Sequence, residues 1–156
     1  DLRNQIFESG LSGTGSIYAK ARDSKRLSDL TALRKAIDAS QFIKASFKLP
    51  VCTKTTDQKK CSSTGFDPTK YNGDIAWIQA DLHDYIATQP VDPSNDEQII
   101  TLSGKKVSAR YIFRSNGTTY KLATYIEDPS NKRWAANDGG TDPDLFETGT
   151  NLLLPL

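Results

Sequence analysis

Few side chains in this sequence could do covalent or metal chemistry. His83 is the sole histidine, and Cys52 and Cys61 are the only cysteines. A Ser–His–Asp or Cys–His mechanism would have to run through His83, and no nucleophile is nominated beside it. Asp84 adjoins it, which reads as a solvated or capping histidine. A zinc site lacks its third and fourth ligands. The cysteines lie in a Ser/Thr/Lys-rich stretch, so an even count reads as a local disulfide, with two free thiols as the alternative. A bridge implies an oxidising compartment. Asp138, Asp142 and Asp144 lie on a Gly-containing loop with Glu147 close behind. Such hard oxygen ligands can hold Ca²⁺, although the spacing is not an EF-hand. The other reading is an Asx-rich turn. Gly10, Gly13 and Gly15 imitate a phosphate loop only superficially, because no strand precedes them and no Gly-Lys-Ser/Thr follows.

These residues must be positioned by a small set of elements. Residues 1–15 read as a leader or truncated segment, and residues 16–156 as one globular domain. From Ser16 to about Ser46 there is no Gly or Pro, and Ala, Leu, Lys and Arg abound. That predicts a long helix with Ser16 as its N-cap. Leu27, Leu30, Leu33 and Ile37 share an arc of roughly 120°. Lys25, Asp29, Lys35 and Asp38 fall on the other faces. Lys20, Arg22, Asp23, Lys25 and Arg26 charge the N-terminal part nearly all round, so it should project from the core or meet another subunit. A long connector (residues 50–74) carries the cysteines. A second, shorter helix is expected from Asp74 to about Thr88, with Ile75, Ile78, Leu82, Tyr85 and Ile86 on one arc and Pro90 ending it.

Residues 98–127 read as an antiparallel meander. Asn116-Gly117 is the strongest hairpin signal. A two-residue turn there pairs Phe113 with Tyr120, Tyr111 with Leu122, Ala109 with Thr124 and Val107 with Ile126, all on one apolar face. Gly104-Lys105 would turn Ile100 and Leu102 onto Ala109 and Val107. Three strands with one apolar face need a cover, and the long helix supplies it. The fold class is therefore α+β: a long N-terminal helix on a three- to four-stranded antiparallel meander, with a short helix in the connecting loop.

Composition narrows function. Twenty Lys plus Arg face nineteen Asp plus Glu, a net charge of +1. Without a basic excess, binding of nucleic acid by bulk charge is excluded. No apolar run approaches the ~20 residues of a membrane span. With neither an initiating Met nor a signal peptide, the chain is expected to be mature or trimmed.

Four segments carry a resemblance to a known family: Ala19–Asp38, the turn QPVDPSND (Gln89–Asp96), the hairpin Tyr111–Pro129 and the tail Ala135–Leu152. Together they resemble the soluble part of a type IV pilin or a type II secretion pseudopilin. The family's apolar N-terminal segment and its glutamate are not in this chain, and the resemblance implies that such a segment was removed upstream of Asp1. It further implies a non-enzymatic subunit of an extracellular filament at a bacterial cell surface. The subunit would be anchored in the inner membrane before assembly and would touch the membrane only through that segment. Its partners would be other copies in a helical homopolymer, and the pilus or secretion machinery. The band from Lys20 to Arg26 would then lie at a heterologous subunit interface. No cofactor is implied beyond the calcium reading, which a pseudopilin's C-terminal loop would favour. The alternatives are a pseudopilin driving export, or a minor pilin or adhesin contacting DNA, sugar or a host surface through Trp134, Tyr71 and Lys59/Lys60.

Overall fold

The computed structural model describes the backbone of residues 2–53, 61–70 and 76–156, and side-chain surroundings for residues 17–53, 61–69 and 76–156. Helix α1 spans Leu2–Ile43, 42 residues. It therefore runs through Gly10, Gly13 and Gly15, and Ser16 is an interior residue rather than an N-cap. The reason is that a glycine costs a helix about 1 kcal/mol but removes no hydrogen-bond donor, so it weakens without stopping. Among the described side chains of α1, from Ile17 onward, the packed ones begin at Asp23. Leu30, Leu33, Ala36 and Ile37 are buried to 1% exposure or less, whereas Ile17 and Tyr18 are largely exposed. The buried stripe also continues upstream through Arg26 and Asp23, at the same three- and four-residue steps.

The helix covers a four-stranded antiparallel sheet of order β1-β4-β5-β6. Its strands are β1 (Val51–Cys52), β4 (Tyr111–Asn116), β5 (Tyr120–Tyr125) and β6 (Leu145–Gly149). The expected α+β architecture is present, but two of its strands come from elsewhere in the chain. Strands β2 (Gln98–Ile100) and β3 (Lys106–Ser108) pair with each other as a separate two-stranded sheet, with Ile99 opposite Val107. The meander's outer places are taken by the cysteine-bearing connector and the acidic tail.

The central hairpin also differs in register. Phe113 faces Leu122 and Tyr111 faces Thr124. The Asn116 N–H donates to the Thr119 carbonyl at 3.2 Å, so the turn centres on Gly117-Thr118, one residue later than expected. Gly117 has φ +93°, a value favoured by glycine. The Asn116 side chain accepts from the Thr118 and Thr119 N–H groups at 2.9 and 2.8 Å. Moving the turn by one residue moves each pair by two, and a strand's side chains alternate with period two. Tyr111, Phe113, Tyr120 and Leu122 therefore still face α1 and still form the core.

The expected helix from Asp74 to Thr88 does not form. Residues 76–88 make turns and bends, and among the described residues of this connector the short helix is the 3-10 turn Pro68–Lys70. Ile78 and Leu82 are buried as their apolar pattern requires. Their backbone is held by Gln89 instead: its amide accepts from Ile78 N–H at 2.8 Å and donates to Ile78 C=O at 3.0 Å. A buried side-chain amide that satisfies both backbone groups of one residue competes with the helical ladder. Trp77 Nε1 donates to the Pro90 carbonyl at 2.9 Å and closes the same loop. Asp74 and Ile75 lie outside the described residues.

Cys52 and Cys61 form a disulfide, with Cα atoms 5.6 Å apart. Cys52 sits opposite Ser115 on β4. The Cys61 carbonyl accepts from Phe113 N–H at 2.8 Å. The bridge thus fastens two pieces of chain to the same edge of β4. By loop entropy it contributes about 2.5–3 kcal/mol. Replacing both cysteines with serine is expected to remove about that much in denaturant unfolding. Reduction should add two hydrogens to the intact mass; an unchanged mass would refute the bridge.

Candidate functional site

The polar centre of the molecule lies where α1 meets the ends of the sheet. Arg26 and Asp23 are both fully buried. Arg26 Nε and Nη2 donate to Asp92 Oδ2 and Oδ1 at 2.8 and 2.9 Å. Its Nη1 donates to Asp23 Oδ1 at 2.8 Å and to Glu127 Oε2 at 2.6 Å. Arg22 grips Glu127 through Nε and Nη2 at 2.8 and 2.9 Å. Asp23 accepts in addition from Glu127 N–H, Asp128 N–H and Asn131 Nδ2 at 3.1, 2.9 and 3.0 Å. One turn of helix is thereby tied to the 89–96 turn and to the chain leaving β5.

The sequence explains the positions. Asp92 begins an Asx turn, its Oδ1 accepting from Ser94 N–H at 2.8 Å. Asp128 caps the 3-10 turn Pro129–Asn131 by accepting from Ser130 N–H at 2.8 Å. Burial opposes the charge on Arg26, but hydrogen bonds and charges from Asp92 and Glu127 outweigh it and raise its pKa. Burial likewise opposes ionisation of Glu127. Hydrogen bonds from Arg22 and Arg26, with their charges, overcome that and hold the carboxyl below its usual 4.5.

This overturns part of the expected interface band. Asp23 and Arg26 are inside the domain and cannot meet a neighbour, whereas Arg22 pairs with Glu127 and stays about one-third exposed, at 34%. The reason is that, apart from the Arg26–Asp23 pair, their partners lie 66 to 108 residues further along the chain, beyond the reach of any helix-based pattern. Lys20 and Lys25 remain exposed. Lys25 pairs with Asp29 at 3.0 Å, a surface contact worth about 0–1 kcal/mol.

Asp29 and Asp38 are also not simply wet. Asp29 accepts from the Tyr111 hydroxyl at 2.6 Å, and Asp38 accepts from the Tyr120 hydroxyl. Burial first, then the adjacent carboxylate in each case, raises both phenol pKa values. These two caps let large aromatic rings fill the helix–sheet core without stranding their hydroxyls.

The calcium reading is corrected as well. Asp144 turns to the β2–β3 loop, accepting from Ser103 N–H at 2.8 Å and from Thr101 Oγ1 at 3.1 Å. Asp138 accepts from Gly140 N–H and Glu147 N–H, both at 2.7 Å. Asp142 accepts from Asp144 N–H at 2.9 Å. The three carboxylates serve three separate turns, and among the described residues no group of acids, histidines or cysteines could hold a metal ion. His83 is exposed, with Asp81 at Nδ1 and Asp84 at Nε2, the latter 3.2 Å away. Trp134 is half-buried in helix α2 (Lys132–Ala136). Tyr71, Lys59 and Lys60 lie outside the described residues. Sequence reasoning missed Asp92, Glu127 and Asn131; the signal that could have found Asp23 and Arg26 is that they continue the Leu30/Leu33/Ile37 stripe.

Removing one partner of a buried ion pair costs about 3–5 kcal/mol. Arg26→Met and Asp92→Leu are each expected to destabilise by about that much, and the Arg26→Met/Asp92→Leu double variant by less than the sum. Additive losses in denaturant melts would deny the coupling. The acid limb tests Glu127. A depressed carboxyl contributes its stability above about pH 4.5, and the contribution is lost as pH falls from there through the folded pKa. Glu127→Gln should therefore show a flatter decline of stability below that pH than the parent chain.

Against known proteins, the chain matches no family model, no curated protein and no solved structure.

Proposed function

We propose that this domain is a non-enzymatic structural subunit of an extracellular filament of type IV pilus character, assembling through α1. The observation that carries this reading is the imbalance along the helix. Its 42 residues would span roughly 60 Å, and among the side chains described, from Ile17 onward, the buried ones run from Asp23 to Ser40. Upstream of Arg22, Ile17 and Tyr18 are exposed. An isolated stretch of helix is marginal in water and gains most of its stability by packing a face. Neighbouring copies supply that packing in a filament. The disulfide suits an oxidising surface location.

In this reading the subunit reaches the membrane and the assembly machinery through a segment upstream of Asp1. Among the described residues, no helix is long and apolar enough to cross a membrane. The acidic tail gives no particular support to the pseudopilin alternative, because its carboxylates are engaged in separate turns.

Antibodies raised against the domain should decorate filaments sheared from the source cells along their length. Decoration of cell bodies with bare filaments would overturn the proposal. In the protein carrying its full N-terminus, Ile17→Glu with Tyr18→Glu should abolish fibres while leaving the domain's melting temperature unchanged. Normal fibres from that variant would count against assembly through α1.

A further inference from the structure

An open cleft of about 450 Å³ lies between α1 and β2, within the roughly 300–1,000 Å³ of ligand clefts. Ala19 and Arg22 of α1 form one wall. Four consecutive residues, Glu97, Gln98, Ile99 and Ile100, form the other. Side chains of a strand alternate between its two faces. Four residues in a row along one cleft therefore mean that the edge of β2, rather than a face, looks into it.

The backbone hydrogen bonds agree. Ala109 N–H donates to the Glu97 carbonyl at 2.8 Å, and Thr101 N–H donates to the Lys105 carbonyl at 2.9 Å. Between them Ile99 faces Val107. Bonded positions in an antiparallel pair recur at every second residue. Glu97, Ile99 and Thr101 thus turn their bonding groups to β3, and Gln98 and Ile100 turn theirs to the opposite edge. β2 has β3 as its one sheet neighbour. Among the described residues, the N–H and C=O of Gln98 and Ile100 have no partner.

An open edge is a template for another strand, and lysines commonly guard it. The β3 side of this ribbon carries exposed Lys105 and Lys106. The β2 side carries exposed Glu97 instead, whose carboxylate makes no hydrogen bond or ion pair among the described residues. Across the cleft the charge of Arg22 is already met by Glu127, so the unbalanced charge is negative. Ser94, which also lines the cleft, is 8% exposed, and its hydroxyl has no partner among the described residues. We propose that this cleft binds an extended peptide segment as an added strand on β2, with a lysine or arginine of the segment beside Glu97. Main-chain bonds to Gln98 and Ile100 supply the affinity, and the acidic side chain selects a cationic segment. The half-exposed Ile100 side chain gains an apolar neighbour. The site does not depend on the filament reading.

The test uses the oxidised full chain with labelled backbone amides and the blocked peptide acetyl-Thr-Lys-Val-Lys-Val-Thr-amide. In the free chain the Gln98 and Ile100 amides should exchange with solvent faster than that of Ile99. The peptide should shift those two amides saturably and slow their exchange. Its counterpart with glutamate for lysine should bind more weakly, and its form N-methylated at every backbone amide should not bind. Glu97→Gln should weaken binding roughly two- to fivefold with the melting temperature preserved. Ile100→Pro removes an N–H that β3 does not use, and should weaken binding roughly fivefold or more, read from the Gln98 amide. Should the proline variant lose its cooperative melt, Glu97→Gln carries the test alone. Equal protection of Gln98, Ile99 and Ile100 in the free chain would overturn the open edge. Equal binding of the two charge forms or of the N-methylated peptide, or undiminished binding by Glu97→Gln, would overturn the peptide site. So would protection of the same amides that grows with protein concentration in the absence of peptide, which would assign the edge to a second copy.

Discussion

A guanidinium with no exposure to water must be surrounded by acceptors, and that requirement at Arg26 organises the molecule. Its four hydrogen bonds go to Asp92, Asp23 and Glu127. Those residues belong to the turn before β2, to α1 itself and to the chain leaving β5. An apolar stripe such as Leu30, Leu33 and Ile37 would tolerate a helix that slid by a turn, because one aliphatic surface resembles another. A fork that needs Asp92 side-on does not tolerate it. The apolar core supplies most of the driving force, and the arginine fixes where along the sheet the helix rests.

The same division holds at the other end of the contact. Tyr111 and Tyr120 fill the core with ring surface, and their hydroxyls are met by Asp29 and Asp38 on the flanks of α1. The sheet's free edge is handled by the disulfide. Strand β1 has two residues, too few to hold an edge on ladder bonds alone. Cys61 brings a second run of chain against β4, where Ser62 bridges Ile112 and Ser63 N–H donates to the Tyr111 carbonyl at 3.0 Å. The bridge turns an interrupted edge into a continuous one and blunts the exposed backbone that a short edge strand would leave.

These details explain what the sequence made legible. The long helix, its apolar stripe, the central hairpin and the disulfide follow from local signals: 3.6-residue spacing, alternation, a glycine turn and a cysteine pair in a polar stretch. The hairpin faces survived a misplaced turn because the error moved each pair by two residues, which preserves the alternation. The segment 76–88 failed for the opposite reason. Its apolar spacing suits a helix, but Gln89 offers Ile78 a better set of hydrogen bonds, and nothing local in sequence announces that. The buried ion network failed because its partners are far apart in the chain. Arg26 looks like a solvated helix residue until Asp92 and Glu127 are placed. The acidic tail shows the converse: four acids within ten residues suggest one site, yet Asp138, Asp142 and Asp144 each serve a different turn and Glu147 is held by Lys121.

Net charge conceals the most instructive feature of the arrangement. The chain carries +1 overall, which suggests an electrostatically indifferent surface. At the helix–sheet junction, however, Arg22 and Arg26 are met by Asp23, Asp92 and Glu127, with Asp128 close by. On the far side of the sheet stand Arg110, Arg114 and Lys121, of which Lys121 pairs with Glu147. Near-neutrality is thus the sum of an acid-rich interior junction and a cation-rich outer face. Bulk charge governs long-range attraction to polyanions, and it is small here. Short-range recognition depends on which donors remain after the fold has satisfied its own, and on that count the two faces of this sheet are not equivalent. The inner face consumes its arginine forks to fix the helix, whereas on the outer face the Arg114 Nε is enclosed without a hydrogen-bond partner among the described residues.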